Sequence, residues 1–302
     1  PSATDYGRDV ALATKDRQLP RVTTGHATTT ATVVLSIRGI LQEAGRELAE
    51  EHVAFLGLGS IGSTTLQLML ACLPHPASIT LCEAYGKLDT LSATRAELEE
   101  RLGYRGRVRT VASNGTLPDE LYESTMIVGA TNVPDLLDLE RIRPGVLIVD
   151  DSAPHCFPAD HAFARFEQRH DLVFTEGGVL HASLPIRRVQ YLPRMVQQTV
   201  DTRRFFGSRD PHHITGCVLS SLLAARDPSL APTVGRIDLE TARRHYDALR
   251  RLGFRAATPH CEGCALPRSY IAAFRARFGR GASSAPGGWT TARRPGGSLG
   301  LN

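Results

Sequence analysis

The chain has 302 residues, enough for one large or two ordinary domains with a sizeable core. Hydrophobic residues make up 42% and charged residues 22%, which excludes a disordered or fibrous chain. The formal charge is +4, carried almost wholly by arginine, with lysine only at Lys15 and Lys87. Paired arginines of this kind read as solvated surface and give no expectation of nucleic-acid binding.

No run of eighteen apolar residues occurs, and the opening PSATDYGRDV lacks a basic-then-apolar leader. The expectation is a cytoplasmic protein without a transmembrane segment, open to homo-oligomerisation. Six scattered cysteines suggest thiol chemistry or a metal rather than a disulfide framework.

Residues 1–20 are polar and irregular. From Thr28 to Glu50 the pattern predicts a helix, with Val33, Val34, Ile37, Ile40, Leu41, Ala44 and Leu48 near one face. The runs VAFL, ITLCE (79–83), VRTVA (108–112), MIVGA (126–130), VLIVD (146–150) and LVFTE (172–176) read as strands, and Leu88–Leu102 as an amphipathic helix. Strands alternating with helices predict an α/β fold, a Rossmann-type doubly wound parallel sheet. Beyond Gly177-Gly178 the pattern turns helical, near 193–206, 212–226 and 238–252, with no further strand series. From about Pro259 the composition predicts a flexible tail, clearest over 280–302. The expected division is an arm and helix at 1–50, a dinucleotide-binding domain at 51–180, a helical region at 181–258 and a tail at 259–302.

Gly57-Leu58-Gly59-Ser60-Ile61-Gly62 follows a strand and opens a helix, the setting in which GxGxxG binds a dinucleotide. Gly57 permits the turn, Gly59 the approach of a pyrophosphate to the N–H groups of Ser60 and Ile61, and Gly62 the helix–strand contact. Glu83, at the end of the next strand, stands where an acid receives ribose hydroxyls and disfavours a 2′-phosphate. A nicotinamide cofactor, NADH or NADPH, is expected, with NADH favoured. Thr131 and Asn132, after the MIVGA strand, are expected along the nicotinamide ribose.

Several segments in order resemble the long-chain acyl-(acyl-carrier-protein) reductase family. They are Leu19-Pro20-Arg21-Val22-Thr23-Thr24-Gly25, the glycine loop, Phe174-Thr175-Glu176-Gly177-Gly178, Ser183-Leu184-Pro185-Ile186, Gly216-Cys217, Gly235-Arg236 and Leu252-Gly253-Phe254. The resemblance covers roughly residues 19–257. It implies reduction of an acyl thioester, carried by acyl carrier protein or coenzyme A, to an aldehyde through an acyl-cysteine at Cys217. It also implies Thr23, Thr24 and Gly25 at the substrate, and Thr23, Thr24 and Ser183 as oxyanion donors. The family's glycine loop is one residue longer and its members favour NADPH.

Read from the residues, Asp210 suits an N-cap and Pro211 a first helical turn, which places His213 one turn before Cys217 on the same face. A nearby imidazolium or helix N-terminus favours the attacking thiolate. The competing reading makes Cys217 an ordinary core cysteine. Asp150-Asp151-Ser152-Ala153-Pro154-His155-Cys156 follows a strand at the ligand-binding edge of the sheet, and reads more readily as a structural loop than as an acid/base or nucleophilic pair. His260-Cys261-Glu262-Gly263-Cys264 has CxxC spacing without a second half, which predicts unligated thiols and no metal. The alternatives to the acyl reductase are a shikimate-dehydrogenase-like oxidoreductase acting on a free carbonyl, and a non-catalytic nucleotide-binding scaffold.

Overall fold

The structure is a computed structural model that describes Asp9, Leu12 and residues 22–83, 88–113, 115–187 and 210–280. The expected helix near 193–206, Lys87 and the tail from 281 onward lie outside the described residues. Helix α1 (His26–Ala44) starts after Gly25, held at φ 74°, and stops at Gly45, held at φ 65°. Gly45 N–H donates to the Gln42 carbonyl and Arg46 N–H to that of Leu41, so the helix ends six residues before the expected Glu50. Every residue from Ala27 to Ile37 is buried, so α1 is a core helix rather than an amphipathic one. Two of its hydroxyls are satisfied inward, Thr32 donating to the Thr28 carbonyl at 2.8 Å and Ser36 to that of Gly177 at 3.0 Å, whereas buried Thr30 Oγ1 has no partner.

The sheet strands are β1 (His52–Leu56), β2 (Ser78–Glu83), β3 (Arg107–Ala112), β4 (Met126–Gly129), β5 (Val146–Asp150) and β6 (Leu172–Glu176). All pair in parallel in the order β3-β2-β1-β4-β5-β6, the doubly wound arrangement the sequence predicts. The central strands are apolar on both faces because helices cover both. Helices α2 (Ser60–Cys72), α3 (Leu88–Glu100), α4 (Asp119–Tyr122) and α5 (Ala159–Arg169) connect them. At the amino edge, buried Arg46 and Glu51 pair bidentately, with Nε to Oε1 at 2.8 Å, and Thr125 also donates to Glu51.

The second half departs from expectation. Strands β7 (Val179–His181), β8 (His213–Thr215) and β9 (Arg255–Ala256) form an antiparallel sheet in the order β8-β7-β9. The helix expected over 212–226 therefore starts only at Gly216, as α6 (Gly216–Arg226), because His213–Thr215 pairs with β7. Helix α7 (Leu239–Arg251) follows, and the Asp238 carboxylate accepts from Thr241 N–H at 2.7 Å as its cap. Beyond it, residues expected to be mobile form a hairpin, β10 (His260–Cys261) with β11 (Cys264–Ala265), and helix α8 (Arg268–Phe278). Ile271 and Phe274 of α8 are buried in the main core. Their apolar spacing outweighs the glycine- and arginine-rich surroundings. Helix α1 packs against α2, α6, α7, α8 and β9 together. No described helix is long and apolar enough to cross a membrane.

His245 of α7 is buried beside Thr28, with Nδ1 3.0 Å from its hydroxyl. Burial, and then the charge of Arg244, push it down to about 4. It stays neutral in the folded protein while the unfolded chain takes up a proton near pH 6.5. Its contribution to stability is complete above that pH and is lost as pH falls toward 4. Urea unfolding of wild type and His245→Gln across pH 7 to 4 is expected to show the wild type losing more, by up to ~1.4 kcal/mol per pH unit.

Candidate active site

The carboxyl ends of β1, β4 and β5 meet at the glycine loop. Gly57 sits at φ 93°, and a Cβ there would lie 2.5 Å from the Ala130 carbonyl oxygen. At Gly62 a Cβ would lie 2.1 Å from the Gly57 oxygen, so helix and strand leave no space for one. At Gly59 it would meet nothing within 4 Å. Gly57 and Gly62 thus serve the turn and the packing, whereas Gly59, the residue before α2, borders open space where the helix presents free N–H groups. Beside it, Leu58, Ser60 and Ser63 line a cleft of about 480 Å³ whose wall includes exposed Arg236. That cation belongs to the Gly235-Arg236 pair of the sequence and suits a phosphate.

Glu83 is buried at the end of β2, and its Oε2 accepts from Leu58 N–H at 3.2 Å. The carboxylate braces the glycine loop. Thr131 and Asn132 follow β4, and Thr131 Cα would be 3.2 Å from a Cβ on Gly57. Thr131 N–H donates to Ser152 Oγ at 3.1 Å, and Thr131 Oγ1 accepts from Val133 N–H at 3.2 Å. Thr131 therefore borders the loop.

A second cleft, of about 330 Å³, opens at the same edge between α1, β5 and α6. Thr24, His26, Ile61, Asp151, His155 and Cys217 are among its wall residues. Cys217 is exposed at the second position of α6, with Sγ 3.5 Å from Thr215 Oγ1. It lies among the free N–H groups of the first helical turn, a setting that favours negative charge. Gly25 is its floor: a Cβ there would be 2.9 Å from Cys217 Cα.

Four expected partners of Cys217 are placed otherwise. His213 is buried on β8, not one helical turn below the thiol; it faces His181 across the sheet and has Nε2 3.3 Å from Asp210. Ser183 is exposed beyond β7 and is not among the wall residues of the cleft. The Thr23 and Thr24 hydroxyls both donate to the Thr233 carbonyl, at 3.2 and 3.3 Å, so they tie the arm to the loop after α6 instead of aiming at an oxyanion.

Other groups occupy the cleft. His26 Nδ1 is 3.2 Å from Ser60 Oγ, which links α1 to the glycine loop. Burial lowers its affinity for a proton against the opposing hydrogen bond to the Gly235 carbonyl, so the ring is neutral. Burial, with the charges of Asp150 and Glu176, pushes the Asp151 carboxyl up to about 8, which keeps it protonated at neutral pH and able to donate. Its neighbour Asp150 is buried, accepting from Ser152 N–H and Cys156 N–H, each at 3.2 Å, and from His155 Nδ1 at 3.0 Å. That last bond, followed by the contact with Cys261, holds His155 well above the ordinary imidazole range. The loop is structural for Cys156, which is buried, but not for His155, which reaches the cleft. Cys261 is also buried, 3.6 Å from His155 Nε2, while Cys264 is exposed across the hairpin.

No family model and no curated protein matches the chain. Among solved structures it is distantly similar to NAD(P)-linked dehydrogenases and reductases. The Δ1-pyrroline-2-carboxylate reductase of Thermococcus litoralis, solved with NADH and L-proline, aligns at 17% identity over 41% of this chain and 36% of its own, with TM-score 0.32. Shikimate 5-dehydrogenase of Listeria monocytogenes, solved with shikimate and NAD, aligns at 16% identity over 48% and 53%, with TM-score 0.33. L-tryptophan dehydrogenase of Nostoc punctiforme aligns at 14% identity over 81% and 63%, with TM-score 0.37. The chain thus spans between about a third and two thirds of these proteins.

The two kinds of glycine are expected to respond differently to substitution. Gly59→Val, at a backbone setting any residue adopts, is expected to melt near the wild-type temperature yet lose dinucleotide affinity ~10-fold or more, read by fluorescence titration. Gly62→Ala is expected to lose ~1–3 kcal/mol of stability in thermal or urea unfolding, because its Cβ has no space.

Proposed function

We propose that the protein is an NAD(P)H-dependent reductase that converts a carrier-bound acyl thioester to an aldehyde through an acyl group on Cys217. The observation that carries this reading is the exposed thiol at the start of α6, in a cleft wall that also holds Ile61 of the glycine loop. The Cys217 thiolate attacks the thioester carbon, a new C–S bond forms and the carrier thiolate leaves. Asp151, protonated at neutral pH on the same wall, gives its proton to the departing sulfur. The open flank of Gly59 fits a pyrophosphate, held by the first N–H groups of α2, with Arg236 beside it and Thr131 and Asn132 toward the nicotinamide end. The reduced dinucleotide supplies the hydride when bound. Acyl carrier protein and coenzyme A remain the two carriers to compare.

Asp151 also favours a second reading, an oxidoreductase that protonates the oxygen of a free carbonyl substrate and uses Cys217 only as wall. Intact-mass analysis with acyl thioesters in the absence of cofactor separates the two. The proposal expects an adduct on Cys217 that disappears when reduced dinucleotide is added. Cys217→Ser is expected to lower aldehyde formation ~10³-fold or more while dinucleotide affinity is unchanged. Turnover retained by that variant overturns the acyl-cysteine route and favours the oxidoreductase in which Cys217 is only wall.

NADH is the expected cofactor, because a 2′-phosphate beside Glu83 brings like charges together at a cost of about a few kcal/mol at an effective dielectric near 20. The ratio of kcat/KM for NADH over NADPH is expected to exceed one, and to fall ~10-fold or more in Glu83→Gln, which keeps an acceptor for Leu58 N–H but loses the charge. A wild-type preference for NADPH overturns the assignment.

A further inference from the structure

The end of β5 and the end of β6 are register partners, which sets Asp150 beside Glu176 at the floor of the second cleft. Hairpin β10–β11 packs on β6 and delivers Cys261 and His260 to the same place. His155 Nε2 is 3.6 Å from Cys261 Sγ and 3.8 Å from Glu176 Oε1, and the three ligand atoms lie within 4.8 Å of one another. Ligands held at 2.0–2.3 Å around a tetrahedral zinc ion are about 3.3–3.6 Å apart, so the two separations from His155 Nε2 already match to within a few tenths of an ångström.

The surroundings are those of a metal ligand set. His155 Nδ1 faces Asp150 Oδ2 at 3.0 Å, which turns Nε2 to Cys261 and Glu176, where a metal would displace its proton, the carboxylate–histidine arrangement that orients a ligating ring. Glu176 Oε1 is further fixed by Glu262 N–H at 2.6 Å. His260 supplies an independent sign. Its Nδ1 faces the Thr258 carbonyl at 2.8 Å and must carry a proton, so in the neutral ring Nε2 is an acceptor. That atom is 98% enclosed with its residue, has no hydrogen-bond partner, and lies 3.6 Å from Glu176 Oε2, another acceptor. An enclosed ring nitrogen without a partner beside a carboxylate oxygen is an arrangement that a cation at the carboxylate stabilises, whether a metal ion or a proton on Nε2.

We propose that His155, Glu176 and Cys261 bind a divalent transition-metal ion, zinc by the character of the ligands, with His260 supporting Glu176 from behind. Ligation releases the Cys261 thiol proton and the His155 Nε2 proton to solvent. Because His155 and Glu176 are wall residues of the cleft and Cys261 is buried behind them, the remaining coordination position opens on the cleft that holds Cys217. Three protein ligands with one open position are the pattern of a Lewis-acid site that takes a water or a substrate oxygen. The proposal departs from the expectation of unligated thiols drawn from the missing second CxxC, since its partners come from the loop after β5 and from the end of β6.

The test is titration of chelator-treated full-length protein with Co²⁺, which needs neither substrate nor dinucleotide and so fails independently of the thioester reading. The expected result is one equivalent bound, with a near-ultraviolet thiolate-to-cobalt band and the strong visible bands of a four-coordinate ion, both removed by Zn²⁺. Azide is expected to shift the visible bands through the open position, and an unshifted spectrum refutes that position. Cys261→Ser is expected to lose the thiolate band, and His155→Gln and Glu176→Gln to bind Co²⁺ at least ~10-fold more weakly. Cys264→Ser and Cys217→Ser are expected to retain the full spectrum. Absence of a thiolate band in folded wild type, or its loss in Cys264→Ser with retention in Cys261→Ser, overturns the proposal.

Discussion

A carboxylate removed from water is tolerated only where donors surround it, and Asp150 is surrounded by the chain that immediately follows it. The N–H groups of Ser152 and Cys156 and the ring of His155 close on its two oxygens. This turns the six residues after β5 into a fixed loop instead of a free connection. The same charge helps to keep Asp151 protonated and sets the orientation of His155. Gly129 belongs to this arrangement as well, since a Cβ there would sit 2.2 Å from Asp150 Oδ1. Loss of the Asp150 charge would therefore alter a proton donor, an imidazole and a backbone turn together.

Two glycines of different kinds bring the halves of the site together. Gly59 leaves room for something that is not protein, whereas Gly25 leaves room for the backbone of Cys217. The second constraint is the stricter one, because Gly25 also holds φ 74°. His26, the first residue of α1, then spans from this contact to Ser60 at the head of α2. One helix start thus touches both the nucleotide loop and the cysteine helix.

The parallel sheet is legible in the sequence because strands buried on both faces are written as uninterrupted apolar runs, and VLIVD and LVFTE match β5 and β6 residue for residue. The start of α6 is not legible: Asp210-Pro211 imitates a capped first turn, but pairing of His213–Thr215 with β7 overrides that local preference. The hairpin at 260–265 is hidden in a segment whose composition averages with the glycine-rich residues beyond it. Of the site, the glycine loop and Glu83 are readable from local context, and Cys217 is singled out only through the family resemblance. His26, Asp151 and Cys261 are not, because their chemistry arises from neighbours that lie far along the chain. The nearest available signals are the histidine opening the α1 helix and the two adjacent aspartates closing a buried strand.

Helix α1 precedes every strand of the sheet in sequence, yet its surface is covered largely by α6, α7, α8 and β9, all from residue 216 onward. During synthesis this apolar helix leaves the ribosome long before the segments that enclose it. The early strands can collapse beside it, but its outer faces stay exposed until nearly the whole described chain has been made. Contacts of such wide sequence separation slow folding and lengthen the life of sticky intermediates. The arrangement therefore ties completion of the cysteine cleft to completion of the polypeptide: a nascent chain that stops short of α6 has a glycine loop but neither Cys217 nor a covered core.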